Sequence, residues 1–138
     1  MIEFEDNICF GCGKKNKHGL KLKFKFDANT HNISSDYVVS ENFEGTPKAI
    51  HAGIIGTILD ETMITVNKYL EFITLTSELS VRYLLPARIN ETLTIKGWHV
   101  KKNKQVIENR AEIRNEVGEI VAKAKGKYIK ITELPRPD

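Results

Sequence analysis

A chain of 138 residues, 41% hydrophobic and 28% charged, is long enough to bury one core and too short for two, and its composition excludes wholesale disorder. Lysines and arginines number 21 against 18 acids, a net charge of +3, well short of the polycationic balance of a histone-like nucleic-acid binder. The acidic start Met1-Ile2-Glu3-Phe4-Glu5-Asp6 is the reverse of a secretory signal, and the longest near-apolar run, Ala49 to Leu59, falls short of the about 20 residues that span a membrane. With Cys9 and Cys12 the only cysteines, the expectation is a cytoplasmic protein with no membrane or nucleic-acid partner, one domain over residues 1–138 with 1–19 as a leader.

After the leader, Leu20 to Phe26 alternates apolar and basic side chains with period two and predicts a half-buried strand. Asp27 to Asn32 is turn material, and Ile33 to Ser40 places Ile33, Tyr37 and Val39 on one face of a second strand, closing a hairpin. Residues 41–48 form an irregular loop. From about Ala49 to Leu70 the spacing of Ile54, Ile55, Ile58, Leu59, Thr62, Met63, Val66 and Leu70 predicts one helix. Leu75, Ser77, Leu79, Val81, Tyr83 and Leu85 then alternate against Thr76, Glu78, Ser80 and Arg82 in a strand that Pro86 ends. Three more strands are expected at 91–100, 105–115 and 118–131, with turns at Lys101–Lys104 and Asn115–Gly118. Strands gathered on either side of one long helix predict an α+β fold, a helix wrapped by a curved antiparallel sheet of about six strands. One helix cannot cover both faces of such a sheet, so a second copy of the chain is expected to shield the open edge.

The helix carries the most informative residues. Gly53 and Gly56 fall in its first two turns although a helical glycine costs about 1 kcal/mol relative to alanine, so something must approach that backbone. Gly53, Gly56, Thr57 and Asp60 share one narrow face of small residues, suited to an acyl chain, a pantetheine arm or a second helix. Glu61 is turned by about 100° from Asp60. In the leader, Cys9-x-x-Cys12 with His18 suggests zinc, but four ligands are needed and only His31 follows nearby, so no metal is expected. The pair also lacks the strand-to-helix setting of a redox motif. Lysines 14, 15, 17, 21, 23 and 25 meet no acid within that stretch, nor do Lys96, Lys101, Lys102 and Lys104 within theirs. These runs read as solvated faces or, with Arg82 and Arg88, as contacts for phosphates. Phe24 and Phe26 fall opposite Lys21, Lys23 and Lys25 and make no stacking platform for bases.

His51-Ala52-Gly53, with Asp60 nine residues after the histidine and Glu61 beside it, resembles the His-Gly-Gly…Asp-Glu signature of the PaaI-type thioesterases of the hotdog superfamily. Thr76-Ser77-Glu78-Leu79-Ser80-Val81-Arg82-Tyr83-Leu84-Leu85-Pro86 is similar to the strand after that family's helix, and Cys9-Phe10-Gly11-Cys12-Gly13…Asn16…Gly19-Leu20 to the N-terminal segment of one of its branches. The resemblance, over residues 8–132, implies a hotdog fold and hydrolysis of an acyl thioester, usually acyl-coenzyme A, in a site between two subunits. The protein would then be a homodimer, paired further into a tetramer, with no cofactor other than the coenzyme A of its substrate. Asp60 would attack the thioester or activate water, since a thiol leaving group with a pKa near about 8.5 needs no strong acid. The amides of Ala52 and Gly53 at the positive helix end would hold the developing oxyanion. His51 and Glu61 are further catalytic candidates, and Gly56, Thr57, Asn16, Arg82 and Arg88 substrate-binding ones. Two positions depart from the family pattern: Ala52 replaces the first glycine, and Gly45 stands where some members carry a water-orienting asparagine. Thr76 or Glu78 of the partner subunit is expected to substitute for that amide. The same departures support an alternative, an acyl-CoA or lipid-binding protein without turnover. A hotdog dehydratase fits less well, because no histidine-bearing loop is paired with a glutamate.

Overall fold

In the computed structural model, which describes residues 8–132, Leu93, Ile95, Ile107, Ile113, Val121 and Tyr128 lie on one face of three consecutive strands with no solvent exposure. The strands are β4 (Thr92–Asn103), β5 (Val106–Arg114) and β6 (Ile120–Lys130), and their alternating burial is the period-two pattern expected of a sheet wet on one side. Two shorter strands, β1 (Lys25–Phe26) and β2 (Ile33–Val38), and the ten-residue β3 (Thr74–Tyr83) complete an antiparallel sheet of order β1-β2-β4-β5-β6-β3. A single helix, α1 (Ala52–Tyr69), lays Ile55, Ile58, Leu59, Met63 and Val66 into the concave face. None of the described helices is long and apolar enough to cross a membrane.

Two expectations need correction. Of the strand expected over Leu20–Phe26 only Lys25–Phe26 joins the sheet, where Lys25 pairs with Ser34. Leu20 and Leu22 keep their predicted burial by a different route: their amides donate to the carbonyls of Phe10 and Gly11, so the segment runs beside the leader rather than beside β2. The turn expected at Lys101–Lys104 tightens to Lys104–Gln105, because β4 continues to Asn103 and pairs it with Val106, with a bulge between His99 and Lys101. The sheet's outer face carries exposed Lys96, Lys123, Lys125 and Lys127. What the single chain leaves open is the outer edge of β3, beside half-exposed Leu75, Leu79 and Tyr83.

A buried polar chain ties the helix to the sheet. Fully buried Asn109 of β5 donates to the Met63 carbonyl at 2.9 Å and to Asn67 Oδ1 at 2.7 Å. Its carbonyl oxygen accepts from His99 Nδ1 at 2.9 Å, while Asn67 donates to Thr74 Oγ1 at 3.1 Å. Every carboxamide group thus has a partner, and loss of the central one leaves several unpaired where water cannot replace it. Asn109→Leu is expected to lower the unfolding free energy by about 2–3 kcal/mol in urea titration, well beyond the effect of a surface substitution.

Candidate active site

The helix begins on its own histidine. His51 is the N-cap: its carbonyl accepts from Ile54 and Ile55 at 2.9 and 3.1 Å, and its Nδ1 accepts the Gly53 amide at 2.9 Å. An accepting Nδ1 fixes the neutral tautomer with hydrogen on Nε2. Of the two amides expected as oxyanion donors, Gly53 N–H is therefore engaged within the chain, and Ala52 N–H has no partner among the described residues. No backbone presses on the helical glycines: a Cβ at Gly53 would meet only the His51 ring, at 3.1 Å, and one at Gly56 the Tyr83 hydroxyl at 3.5 Å. Tyr83, which the sequence reading did not single out, reaches from β3 to donate to the Ala52 carbonyl at 2.8 Å. Thr57 donates back to the Gly53 carbonyl at 2.9 Å.

Two turns along the helix, half-buried Asp60 receives two hydroxyls. Tyr128 donates to its Oδ1 at 2.9 Å, and Thr76 lies 3.0 Å from Oδ1 and 3.3 Å from Oδ2. Both donors follow from strand mechanics. Thr76 pairs with Tyr128, so the two side chains share the concave face. A bulge at Ser77 then reverses the phase of β3, so that Leu79, Val81 and Tyr83 face the helix too, while Glu78 pairs with Lys127 on the far side of the sheet, 3.8 Å from its Nζ. Tyr128 lies flat over Gly126, where a Cβ would come within 2.6 Å of its ring. A glycine two residues before an inward tyrosine was the available signal for this missed residue. Burial raises the Asp60 pKa above the usual carboxylate value, the Tyr128 and Thr76 hydrogen bonds pull against that shift, and the Glu61 charge adds to it. Burial and then the Asp60 charge push the Tyr128 phenol far above its own usual value, so it keeps the proton that it donates to Asp60.

A carboxylate held by two hydroxyls, less acidic than usual and still partly open to solvent, is equipped to take a proton or to attack an electrophile. The family model described as the thioesterase superfamily matches residues 48–122, which include the helix start, Asp60 and Thr76. The chain belongs to the thioesterase superfamily. Its one helix against an open six-stranded antiparallel sheet is the hotdog architecture, shared with a solved thioesterase superfamily protein at a TM-score of 0.83 and 20% identity, over 89% of this chain. This chain spans 60% of that protein's length. A hypothetical thioesterase of Streptococcus pneumoniae TIGR4, solved with coenzyme A, has a TM-score of 0.73 and 22% identity over 79% of this chain and 84% of its own. The PaaI protein of the E. coli phenylacetic acid degradation operon has a TM-score of 0.73 and 18% identity over 80% and 84%. A search of curated proteins gives no match.

The remaining candidates of this thioesterase superfamily member lie apart from Asp60. Glu61 turns to the opposite flank of the helix, buried beneath the leader, with Lys68 Nζ at 3.5 Å. There, burial and the Glu61 carboxylate push the Cys12 thiol up to about 12. Asn16 uses its carboxamide inside the leader, donating to the Ile8 carbonyl at 3.1 Å and accepting the His18 amide at 3.0 Å. Arg82 is exposed on the outer face beside Lys123, and Arg88 lines a cleft of about 580 Å³ with Asn90, Glu91 and Glu116. A larger open groove, about 920 Å³, joins His51, Ala52, Ile55, Tyr83 and Leu85 at the helix start, and Asp60 lines neither. Gly45 departs from the family pattern for a steric reason: a Cβ there would lie 2.8 Å from His51 Cα, so the loop excludes the asparagine that some members carry.

The raised pKa makes a stability prediction. A carboxyl that holds its proton more tightly when folded adds stability at low pH, and that contribution is lost as pH rises through its folded value, leaving a buried charge. Asp60→Asn carries no such charge. Its melting temperature is expected to exceed that of the wild type at pH 7, with the gap closing as pH falls to about 4.

Proposed function

We propose that the protein hydrolyses an acyl-coenzyme A thioester to the free acid and coenzyme A, with Asp60 as the reacting carboxylate. The observation that carries this reading is the Asp60–Tyr128–Thr76 cluster, at 2.9 and 3.0 Å, on the open flank of the helix of a thioesterase superfamily fold. In the base route Asp60 takes a proton from water, the hydroxide adds to the thioester carbonyl, and the tetrahedral oxyanion collapses with departure of the thiolate, which recovers the proton from Asp60. In the nucleophilic route a mixed anhydride with Asp60 forms and water hydrolyses it. Label found in Asp60 after single turnover in heavy-oxygen water identifies the nucleophilic route with water adding to the Asp60 carbon of the anhydride, because the base route never labels that side chain. Under either route Tyr128 and Thr76 are positioning residues that orient the carboxylate and keep its pKa from rising further.

Helix geometry argues that one chain supplies half of the site. Ala52 and Asp60 are eight residues apart, about 12 Å along the axis, whereas an oxyanion donor and an attacking group must each lie about 3 Å from the same carbonyl. A second copy resolves this if its helix runs antiparallel to the first, bringing the start of one helix toward Asp60 of the other. The open β3 edge and half-exposed Leu75, Leu79 and Tyr83 offer the contact for such a homodimer.

Two measurements test the reading. With a panel of acyl-CoAs, Asp60→Ala is expected to lower kcat by about 100-fold or more while the fold persists. Tyr128→Phe, which deletes a hydrogen bond that favours the charged carboxylate, should move the acidic limb of the kcat/KM profile to higher pH. An unchanged rate in Asp60→Ala refutes the assignment, and coenzyme A binding without thiol release by the wild type would favour the non-catalytic alternative. For the dimer, Leu79→Lys should yield a monomer in sedimentation that has lost turnover but keeps wild-type circular dichroism.

A further inference from the structure

We propose that Cys9, Cys12 and Glu61 form a zinc site that fastens the leader to the helix. The ligand atoms of these three residues lie within 4.8 Å of one another. Cys9 Sγ is 3.8 Å from each carboxylate oxygen of Glu61, and a tetrahedral zinc with Zn–S about 2.3 Å and Zn–O about 2.1 Å would set that separation at about 3.6 Å. The Cys9–Glu61 edge thus already has nearly the length such a site requires, with Cys12 Sγ within 4.8 Å of both. Cys9-Phe10-Gly11-Cys12-Gly13 makes a tight turn, with Gly13 N–H donating to the Cys9 carbonyl at 2.9 Å, and the neighbouring amides of Leu20 and Leu22 hold its backbone at Phe10 and Gly11. A Cβ at Gly11 would sit 2.7 Å from the Glu61 side chain, so the turn packs directly on that carboxylate.

Charge and donor chemistry select the ion. Two thiolates and a carboxylate carry three negative charges, which a divalent cation and the Lys68 ammonium balance. Lys68 Nζ stands 3.3 Å from Cys12 Sγ and 3.5 Å from Glu61 Oε1, the place of an outer donor to ligands of a metal. Paired thiolates select a soft or borderline ion, the carboxylate disfavours copper(I), and the three protein ligands among the described residues fall short of the four cysteines of an iron–sulfur cluster. Zinc remains, with water in the fourth position. On binding, two thiol protons pass to solvent. Glu61 is 7% exposed and faces away from the Asp60 hydroxyls, so the metal ligands lie apart from the proposed reacting group. The sequence reading found no metal because it sought a second ligand pair near the first, and the third ligand lies 52 residues beyond Cys9 on the helix.

The test uses the full chain, reduced and stripped with a chelator, with cobalt(II) as an optical probe. Wild type should take up equimolar cobalt with intense thiolate-to-metal bands that zinc bleaches, and zinc should shield both thiols from a thiol reagent. Cys9→Ser with Cys12→Ser should lose the bands while far-ultraviolet dichroism is kept. Since removing even an outer partner of a ligand weakens metal binding by about 10- to 100-fold, Glu61→Gln should lose at least about tenfold in affinity. Absent bands, equal thiol reactivity with and without zinc, or undiminished affinity in Glu61→Gln would each overturn the proposal. Thiol shielding is read on wild type, so it decides even where a variant fails to fold.

Discussion

Burial of one side of α1 in the concave sheet fixes the rotation of the helix, and that constraint places everything else. Consecutive helical residues are turned by about 100°, so with Leu59 and Met63 committed to the core, Asp60 and Glu61 cannot share a surroundings. Asp60 emerges toward β6 and β3 and receives two hydroxyls. Glu61 emerges on the other flank and is roofed by the leader with two thiols and an ammonium. Adjacent carboxylates of nearly the same intrinsic chemistry are thereby given unrelated surroundings, and neither can enter the other's without rotating the helix out of its core.

The Asp60 flank depends on a strand that changes phase. Without the bulge at Ser77, strict alternation would allow either Thr76 or the series Leu79, Val81 and Tyr83 to face the helix, not both. One extra residue lets β3 present a hydroxyl to the carboxylate at one end and a phenol to the helix start at the other. Tyr128 meets the opposite demand. It is fully buried yet must direct its hydroxyl at a charge, and lying over Gly126 is what gives the ring its path. Desolvating Asp60 is unfavourable to the fold, and the two hydroxyl bonds only partly offset it. That unfavourable term falls on the carboxylate proposed to react.

What the sequence made legible is what repeats. The helix is apparent in the spacing from Ile54 to Val66 and the strand after it in the alternation from Leu79 to Tyr83, because burial imposes a period on each. Single events leave no such trace. The Ser77 bulge turns Leu75 away from the face it shares in a regular reading, and the strand at Leu20 is lost to the leader although its alternation is intact, since period two reports burial and not which backbone is the partner. Tyr128, Tyr83 and the position of Glu61 beneath the cysteines rest on contacts across 68, 31 and 52 residues, beyond the reach of local pattern.

The capping histidine bears on how such a site would distinguish a transition state. Gly53 N–H is already satisfied by a neutral imidazole nitrogen at 2.9 Å, on a ring that is exposed at the helix start. A thioester carbonyl in its ground state is a weak acceptor and gains little by displacing that bond. The same oxygen, once hydroxide or a carboxylate has added to its carbon, is an anion at the positive end of a helix and a far stronger acceptor than imidazole. An amide that yields only to the charged form contributes little to substrate binding and more to the reaction itself, which is the condition for raising turnover rather than affinity. Under the proposed hydrolysis His51 therefore acts without touching the reacting atoms, by setting the strength of acceptor needed to draw the Gly53 amide away.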